Sequence, residues 1–479
     1  MHPGFGRREV LVSGAPPHPA RTTARAPRGI GRARLIRPAV VLALGVAAVA
    51  ASATLATPSG ASGAGGPVTI KVVTDTGWSF ILEAAKQFEK QHPNVKVEYA
   101  PVANSESIPY FSNLPRNLAA PTAPDIDTVR VEPGPYYGVL RQNLLSSLDD
   151  VWKADGLAKA YPASVNTLYT APDGHHYAIG VDQWWPVVWY SKPAFQKAGI
   201  SPPANGRITS QAQLLAWGAK LKKAGYPVPL ASGTTDEEGP AYLFGQLLQS
   251  ACGDAALTNL DTNWHPTVAR TTKWTSPCVL KALQATEAYA KGGVLGPAPA
   301  TESDEQATSY FTQGKAAMYI SGSWQPSSFA SLKLTMPYGW LLLPQVPGGS
   351  PTEVLSANYD ALAVVRSSKH QTEAKEFLAL VASKQFMYGP GYGKTFGLAP
   401  DRTDGVLKAS AFFPAVVSIQ NAIPKLGGPV PLPYTQVPWG LTVTPAIAAM
   451  WAGSKSPQQV AAAFEQAALS ARSNPSSVG

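Results

Sequence analysis

The hydrophobic pattern that follows residue 67 predicts a strand, a helix and a second strand. Residues 68–73, Val-Thr-Ile-Lys-Val-Val, alternate in the manner of a strand. Apolar residues then recur at helical spacing across 79–92, and Pro93 ends that helix. Residues 94–99 alternate again. A strand, a helix and a strand at this spacing form a βαβ unit, so the pattern predicts an α/β fold.

Helical spacing recurs in later parts of the chain. The final helix is predicted to begin after Ser456, because Ser456 caps it, Pro457 takes the first helical position and Gln459 completes a capping box. No sequence repeat of roughly 20–50 residues appears, which argues against a solenoid or a propeller. The other predicted helices cover 209–224, 279–291 and 371–387.

The first part of the chain has the composition of a targeting segment. Eight arginines and one glutamate precede Pro38, and an apolar run over 39–50 is followed by small-residue sites of the Ala-x-Ala type. Residues 1–56 are therefore predicted to be a signal segment, and the Gly- and Ser-rich residues 57–66 a flexible tether. Residues 38–66 contain no cysteine, so this stretch has no residue that could carry a lipid. The alternative is an uncleaved membrane anchor, which needs about 20 apolar residues.

The overall charge of the chain is concentrated at its start. The 479 residues carry a formal net charge of +9 and are 45% hydrophobic. Because most of the excess charge lies in the arginines before Pro38, the remainder is nearly neutral and does not predict a nucleic-acid-binding surface. This length allows two or three domains with sizeable cores.

The chain has two cysteines, Cys252 and Cys278. An exported protein folds in an oxidising compartment, so we predict that they form a disulfide bond. Two buried free thiols are the alternative.

The sequence lacks the common signatures of catalysis, cofactor binding and metal binding. Tyr388 stands where a phosphate-binding loop requires glycine, and neither Gly-x-Ser-x-Gly nor His-Glu-x-x-His occurs. His175 and His176 lie in a turn with no third ligand nearby in sequence, which is typical of a solvated turn. The acids at 149–150 and 236–238 could supply the carboxylate pair of a glycosidase, but surface acids have the same pattern. We therefore predict a protein that is not an enzyme and has no cofactor and no metal.

Tryptophan is abundant, with 12 residues, and several lie in loop-like contexts. The face of an indole ring suits the apolar face of a pyranose ring, whose hydroxyls seek carboxylates and amides. Local packing is the alternative for each of them. Trp217 and Trp451 lie on helix patterns and are predicted to belong to the core. The loop tryptophans are Trp78, Trp184, Trp185, Trp324 and Trp439.

A series of short segments follows in a fixed order along residues 67–473. They are 88–97 (Phe-Glu-Lys-Gln-His-Pro-Asn-Val-Lys-Val), 123–126 (Ala-Pro-Asp-Ile) with 144–149, 173–181 with 189–192 and 195–199, 311–324, 354–357 with 374–378, and 397–401 (Gly-Leu-Ala-Pro-Asp). Each segment alone is a weak signal. The ordered set resembles the extracellular solute-binding proteins of ABC importers, specifically the carbohydrate-binding family that includes maltose-binding protein.

This resemblance implies a type II periplasmic-binding-protein-like fold. In that α/β architecture two lobes, each a central sheet flanked by helices, close on a ligand in the cleft between them. Aligning the segments places the chain crossings near Asp182, Leu355 and Leu398. One lobe is predicted to comprise 67–181 and 356–398, and the other 182–355 and 399–473.

The resemblance also implies ligand-binding residues. Trp324 matches the tryptophan that the family stacks on sugar after a Gly-x-Trp turn, and Asp182 matches an acid of the hinge strand that accepts sugar hydroxyls. Glu132 matches another hydroxyl-binding acid, and Trp439 falls near the family's C-terminal stacking tryptophan. The further candidates are the loosely matching pair Glu238 and Tyr242 and, from position and residue type, Trp78, Trp184, Trp185 and Tyr359.

The implied function is that of the substrate-binding component of an ABC importer. It would capture a mono- or oligosaccharide by lobe closure and deliver it to permease subunits in the membrane, as a monomer that binds no nucleic acid. Its place would be extracellular, on the outer side of the cytoplasmic membrane, without a lipid anchor. Residues 184–186, Trp-Trp-Pro, look like an insertion beside the hinge, which bears on the size of the ligand. The alternatives are a solute-binding protein for a polyamine, peptide or phosphorylated compound, and a secreted carbohydrate-active enzyme.

Overall fold

The computed structural model of the protein describes residues 66–75, 77–103, 109–131, 135–235, 238–263, 268–358, 360–431 and 442–473. The predicted signal segment, 1–56, lies outside these residues, as does the predicted tether up to residue 65. None of the helices in the described stretches is both long enough and apolar enough to span a membrane.

Strands and helices alternate along the described residues. The strands are β1 (Val68–Asp75), β2 (Val95–Val102), β3 (Ile126–Arg130), β4 (Ile179–Gly180), β5 (Pro186–Ser191), β6 (Val228–Ala231), β7 (Ala316–Gly322), β8 (Tyr338–Leu341), β9 (Leu355–Ser356), β10 (Asp360–Val364) and β11 (Val430–Pro431). The helices are α1 (Phe80–Gln91), α2 (Leu114–Leu118), α3 (Pro135–Arg141), α4 (Asp149–Ala154), α5 (Leu157–Ala160), α6 (Ala163–Tyr169), α7 (Lys192–Lys197), α8 (Gln211–Lys223), α9 (Glu238–Cys252), α10 (Asp254–Thr262), α11 (Pro277–Lys291), α12 (Asp304–Thr312), α13 (Gln325–Ser331), α14 (Gln371–Ala382), α15 (Lys384–Met387), α16 (Pro390–Gly393), α17 (Pro414–Leu426), α18 (Thr444–Trp451) and α19 (Pro457–Ser473). A short 3-10 helix spans Pro299–Thr301.

The first sheet has five strands in the order β2-β1-β3-β10-β4. β1 is parallel to β2 and to β3, whereas β10 is antiparallel to β3 and to β4. Helix α1 connects β1 to β2, so the predicted βαβ unit is confirmed. The apolar stripe that predicted α1 is buried, and its members are Phe80, Ile81, Ala84, Ala85 and Phe88.

The second sheet has four strands in the order β6-β7-β5-β8. β6 and β7 are parallel, and β5 is antiparallel to β7 and to β8. Every residue of β5 and β7 is buried, as in sheets that helices cover on both faces. Two sheets flanked by helices confirm the predicted α/β fold class.

Three distant segments of the chain lie side by side next to the predicted crossing points. The backbone N–H of Gln183 donates to Ala399 O at 2.7 Å. Trp184 and Ala357 exchange backbone hydrogen bonds of 3.1 and 3.0 Å. The short sheet of β9 and β11 adjoins this region along the chain. The residue bounds of the two lobes stay a prediction.

The predicted helices are confirmed to within two residues at their ends, with one exception. The continuous helix predicted over 371–387 is wrong, because α14 ends at Ala382 and α15 begins at Lys384. Ser383 between them has extended backbone angles (φ −61°, ψ 141°), and its hydroxyl accepts the N–H of Phe386 as a helix cap. At α19 the predicted capping box is confirmed by reciprocal bonds between Ser456 and Gln459 of 2.8 and 3.3 Å.

The predicted disulfide between Cys252 and Cys278 is confirmed, and the alternative of two free thiols is wrong. The bond joins the last residue of α9 to the first turn of α11, two helices that pack on each other. The core prediction also holds for Trp217, which is buried, while Trp451 is half-buried and packs against the core.

Candidate ligand-binding site

Two sheet edges carry the candidate site. β1, β3 and β4 end, and β10 begins, at one edge of the first sheet. β6 and β7 end, and β5 begins, at one edge of the second sheet. Ligands of open α/β sheets bind outside the carboxyl ends of the strands. Charged side chains gather at the first edge and aromatic side chains at the second, and the segment between β4 and β5 connects the two.

Arg130, the last residue of β3, pairs with carboxylates from both neighbouring strands. Its Nη2 lies 3.1 Å from Asp75 Oδ2, and its Nε lies 3.7 Å from Asp360 Oδ1. The strand register causes the second contact, because β3 and β10 place Arg130 directly opposite Asp360. The guanidinium also lies 4.6 Å from the ring centroid of Phe111, a cation–π contact. The Arg130 guanidinium therefore pairs with two carboxylates, those of Asp75 and Asp360.

Asp360 and two aspartates on which its charge acts form what we call the acidic cluster: Asp182, Asp360 and Asp401. Asp182 and Asp401 are fully buried. Burial raises the pKa of each well above its usual value, and the charge of Asp360 raises both further. Burial also raises the pKa of Asp360 to about 6, although Arg130 opposes the shift. The cluster therefore binds protons at pH values where an exposed aspartate is ionised.

Asp182 is the least satisfied member of the acidic cluster. Neither of its carboxylate oxygens has a hydrogen-bond partner within the described part of the chain. Asp401, by contrast, accepts from Asn358 Nδ2 at 2.6 Å and from the Tyr169 hydroxyl at 3.5 Å. A buried polar group without a partner costs free energy. Asp182 therefore gains most from a hydroxyl, an amine or a proton.

A close backbone approach positions Asp401. Gly180 is the last residue of β4, and a Cβ atom there would lie 2.2 Å from Asp401 Oδ2 and 2.8 Å from Tyr169 Cζ. A side chain at position 180 would therefore push Asp401 or Tyr169 out of place. The single hydroxyl hydrogen of Tyr169 is shared between Asp401 Oδ2 and the nearer Asn358 O at 2.9 Å, which holds the segment before β10 next to the cluster.

Trp184, Tyr242 and Trp324 form the aromatic cluster. The ring centroids lie 5.1 Å apart for Trp184 and Trp324, 5.3 Å for Trp184 and Tyr242, and 6.0 Å for Tyr242 and Trp324. All three pairs are edge-to-face, the geometry that aromatic quadrupoles favour. Trp184 and Tyr242 are buried, whereas Trp324 is half-buried. The Trp184 side chain also hydrogen-bonds to the Asp360 carboxylate, so the aromatic and acidic clusters touch.

Gly322 explains how Trp324 takes its place. Gly322 ends β7, and a Cβ atom there would lie 1.8 Å from Cζ3 of the Trp324 ring. The indole therefore lies directly over the backbone of the strand end. This contact gives a physical reason for the Gly-x-Trp spacing that the sequence shows.

Two predicted ligand residues pack within the core in this conformation. Trp185 is fully buried, and its backbone N–H donates to Ser323 Oγ at 3.2 Å. Trp78 is 5% exposed, and its ring lies 5.8 Å from that of Phe80 and 5.5 Å from that of Phe396. Local packing accounts for these contacts, and the ligand role of both tryptophans stays a prediction.

Four further predicted residues fall where the structure gives no side chain. Glu132, Tyr359 and Trp439 lie outside the described residues. Glu238 begins α9, but its side chain also lies outside them. Their ligand-binding roles stay predictions.

Sequence reasoning missed Asp75, Arg130, Asp360 and Asp401. Asp75 and Arg130 end strands, and that position at a carboxyl end is a signal that could have marked them. Asp401 closes a segment that resembles the family, 397–401. Asp360 offered no local signal, because its importance comes from the pairing of β10 with β3.

The adjacent histidines take part in a separate polar contact. The His175 ring lies 2.6 Å and the His176 ring 3.0 Å from the carboxylate of Asp149, which also accepts the His176 N–H. Burial raises the pKa of Asp149, but these hydrogen bonds outweigh it and lower the pKa below its usual value. Across the described stretches, no group of three or more His, Cys, Asp or Glu side chains is arranged to hold a metal ion.

A family model described as bacterial extracellular solute-binding protein matches residues 73–388, which is more than half of the chain. The protein therefore belongs to the bacterial extracellular solute-binding proteins. The resemblance found in the ordered sequence segments is confirmed.

One curated relative is an uncharacterized ABC transporter extracellular-binding protein of Pyrococcus horikoshii. It is 26% identical to this chain over 304 residues. The match spans 62% of this chain and 63% of the relative, so it covers less than two thirds of that protein.

Solved structures show the same fold. One, from a study of xylan utilization by the thermophilic bacterium Caldanaerobius polysaccharolyticus, has a TM-score of 0.71 at 21% identity and covers 83% of this chain and 99% of that chain. Another is the maltose/maltodextrin-binding domain MalE of Bdellovibrio bacteriovorus bound to maltotriose, with a TM-score of 0.64 at 20% identity, covering 84% of this chain and 99% of that chain. At these identities the likeness shows the fold, and it confirms the periplasmic-binding-protein-like class.

Proposed function

We propose that the protein is the substrate-binding component of an ABC importer, which captures a mono- or oligosaccharide outside the cell and delivers it to a membrane permease. One observation carries this proposal: the half-buried ring of Trp324 belongs to an aromatic cluster that touches the acidic cluster, where both Asp182 oxygens lack hydrogen-bond partners among the described residues. A pyranose ring needs that combination, because it has an apolar face and a rim of hydroxyls. Membership of the family and the sugar-bound likeness support it.

The aromatic cluster would contact the apolar face of the sugar, and the acidic cluster would bind its hydroxyls. The aromatic cluster offers Trp324 as a stacking surface held by Trp184 and Tyr242. Asp182 and the Arg130 pairs offer acceptors and a donor for hydroxyls, in charge-assisted hydrogen bonds. Closure of two lobes around the sugar would remove water and strengthen these bonds, and the sugar would favour the closed state by its extra contacts there.

The proposed receptor has two lobes, a signal segment and further ligand contacts. Closure joins 67–181 and 356–398 on one side to 182–355 and 399–473 on the other. The signal segment 1–56 directs export without a lipid anchor, and the receptor works as a monomer and catalyses no reaction. The further ligand contacts are Glu132, Glu238, Tyr359, Trp439, Trp78 and Trp185.

A polyamine or another cationic solute is a second candidate, and the acidic cluster favours it. Three aspartates with little solvent contact face a single arginine there. An ammonium group placed among them would favour the ionised form of these acids and pair with their charge. The partial exposure of Trp324 favours the sugar.

A thermal-shift screen of the full chain tests both candidates. The probes are maltotriose, xylotriose, chitotriose and glucose, with spermidine and glycerol 3-phosphate as non-sugar comparisons. A ligand that binds the folded state alone raises the melting temperature as its concentration exceeds the dissociation constant. We expect a shift with one class of sugar and no breakdown of that sugar by chromatography. A shift with spermidine alone would replace the sugar by the second candidate, and sugar breakdown would contradict the receptor function.

A further inference from the structure

Glu302 is a buried carboxyl group at the edge of the second sheet that none of the site assignments above uses. It is 6% exposed and follows the 3-10 helix that ends at Thr301. Its Oε1 atom has no hydrogen-bond partner within the described stretches. Most buried polar atoms are paired, so an unpartnered carboxylate oxygen in such a place points to an interaction with a missing group.

The backbone holds Glu302 in a fixed position. Its carbonyl oxygen accepts the N–H of Thr234 at 2.6 Å and that of Thr235 at 3.1 Å. Its carboxylate accepts the backbone N–H of Ser232. These donors belong to the loop that follows β6, so one carboxylate oxygen is anchored to the sheet edge while the other is buried and has no partner among the described residues.

The same loop places Glu302 close to the aromatic cluster. The Ser232 hydroxyl packs on Gly239 near the start of α9, where a Cβ atom would lie 2.4 Å from it. Tyr242 of the aromatic cluster lies on α9 three residues after Gly239, on the same face of the helix. Glu302 and Tyr242 therefore flank one short stretch of the edge.

Two more buried oxygens, one on the loop that binds Glu302 and one next to Trp324, lack partners in the described stretches. Ser232 Oγ and Gln325 Oε1 are buried and have no hydrogen-bond partner among the residues described. Gln325 follows Trp324 directly, and its Nε2 donates to the Tyr319 hydroxyl at 3.1 Å. Tyr319 in turn donates to Asp304 Oδ1 at 2.7 Å, in the first turn of α12. A chain of hydrogen bonds through Tyr319 thus connects the residue after Trp324 to Asp304, two residues after Glu302.

We propose that Glu302 is a further ligand-contact residue whose Oε1 accepts a hydrogen bond from a sugar hydroxyl, and that this contact makes sugar affinity depend on pH near neutrality. The inference rests on the proposed sugar-binding function. A carboxylate anchored by one oxygen and free at the other is a directional acceptor, so it selects sugars with a hydroxyl at that point.

The pH dependence follows from the surroundings of Glu302. Burial raises its pKa to about 7, the Ser232 N–H opposes the shift, and the charge of Asp304 adds to it. In the described elements packed around it, α12 carries Asp304, Glu305 and Tyr310, β7 carries Tyr319, and α18 carries no titratable group. A hydroxyl that donates to Oε1 favours the ionised form. Binding therefore releases a proton, and affinity rises with pH.

Calorimetry on the full chain tests the proposal with maltotriose, xylotriose and chitotriose at pH 6 and pH 8. For a sugar that binds, we expect affinity to rise by up to about tenfold, the change in ionised fraction of a carboxyl group with a pKa of about 7. In Glu302→Gln the affinity should be lower at pH 8 and nearly independent of pH. Glu376→Gln, on the surface of α14, is the matched control and should behave as the wild type.

A melting curve without sugar shows whether Glu302→Gln folds. The folded pKa of Glu302 is raised above its unfolded value of 4.5, so its contribution to stability is present below pH 4.5 and is lost as the pH rises to about 7. The variant should lack that loss and melt cooperatively. If the wild type and Glu302→Gln have equal sugar affinity and equal pH dependence, the role of Glu302 is overturned but the sugar-binding function is not. Failure of the wild type to bind any of the three sugars would instead overturn the sugar-binding function, and the role of Glu302 with it.

Discussion

The acidic cluster and the aromatic cluster meet at the Trp184–Asp360 hydrogen bond, yet they are opposite in energetic character. The aromatic rings bury apolar surface in favourable edge-to-face contacts. The acidic cluster buries carboxyl groups around a single arginine, and Asp182 has no partner in the described stretches. Burying the first stabilises the fold, whereas burying the second opposes it.

That difference separates what folding requires from what binding requires. Hydrophobic packing alone would produce Trp184 and Tyr242 at a sheet edge. It would not produce three aspartates there, because each carries a desolvation cost that well-packed apolar side chains avoid. The acidic cluster is therefore the stronger sign of function, although the aromatic cluster is the easier one to read from the sequence.

Replacing Arg130 should cause the largest of the expected changes, a loss of folding stability at the acidic cluster. Arg130→Met breaks the contacts with Asp75 and Asp360 and leaves the acids uncompensated. We expect a loss of about 3 kcal/mol in the free energy of unfolding at pH 8, measured in urea, and a smaller loss at pH 5, where Asp360, whose pKa burial raises to about 6, takes up a proton. The control is Lys96→Met, which breaks the exposed pair with Glu89 and should cost under about 1 kcal/mol. Equal losses in the two variants would show that Arg130 does not stabilise the cluster.

Replacing Trp324 should affect binding more than folding. Trp324→Ala removes the half-buried stacking surface, and we expect sugar affinity to fall by about 1–3 kcal/mol, as for a buried aromatic anchor. Calorimetry with the sugar found in the screen measures this loss. Trp451→Ala, a half-buried tryptophan on α18, is the control and should leave affinity unchanged. Unchanged affinity in Trp324→Ala would remove Trp324 from the site.

Replacing Asp182 with a neutral residue should change the free energy of unfolding by less than the Arg130 substitution does, and it should raise that free energy. The pKa of Asp182 is raised in the folded protein, mainly by burial, so its contribution to stability is present at low pH and lost as the pH rises through that folded value. Asp182→Asn should therefore be more stable than the wild type at pH 8, by about 1 kcal/mol or more, and the difference should shrink at pH 5. Asp150→Asn, on the surface, should show no such trend. A variant less stable than the wild type at pH 8 would mean that Asp182 is ionised and stabilising.

The local pattern of the sequence predicted elements well because each element depends on its own residues. The alternation over 68–73 and the helical spacing over 79–92 led directly to β1, α1 and β2. The break at Ser383 was missed because the apolar spacing continues on both sides of it, while a single serine turns the backbone. Residue types in loops also led to the predictions for Trp184 and Trp324, whose rings contact each other in the structure, while their ligand-binding roles stay predictions.

The charged half of the site could not be predicted in the same way, because it depends on register. Arg130 meets Asp360 only because β10 pairs antiparallel with β3, and Asp75 reaches Arg130 only because β1 lies on the other side of β3. No local pattern encodes which strand lies beside which. The aromatic residues and Asp182 could therefore be proposed one position at a time, whereas the contacts of Arg130 with Asp75 and Asp360 appear only once the sheet is assembled.

The placement of β10 has a consequence for how the protein is made. β10 joins β3 to β4 in the first sheet, but it begins at Asp360, after all four strands of the second sheet have been synthesised. During synthesis from the N-terminus, β4 has no neighbour to pair with until residues 360–364 emerge. The second sheet comes from one continuous stretch, 186–341, and can assemble earlier. β4 and the facing edge of β3 therefore stay unpaired while residues 181–359 are synthesised, and an unpaired strand edge is a site of aggregation.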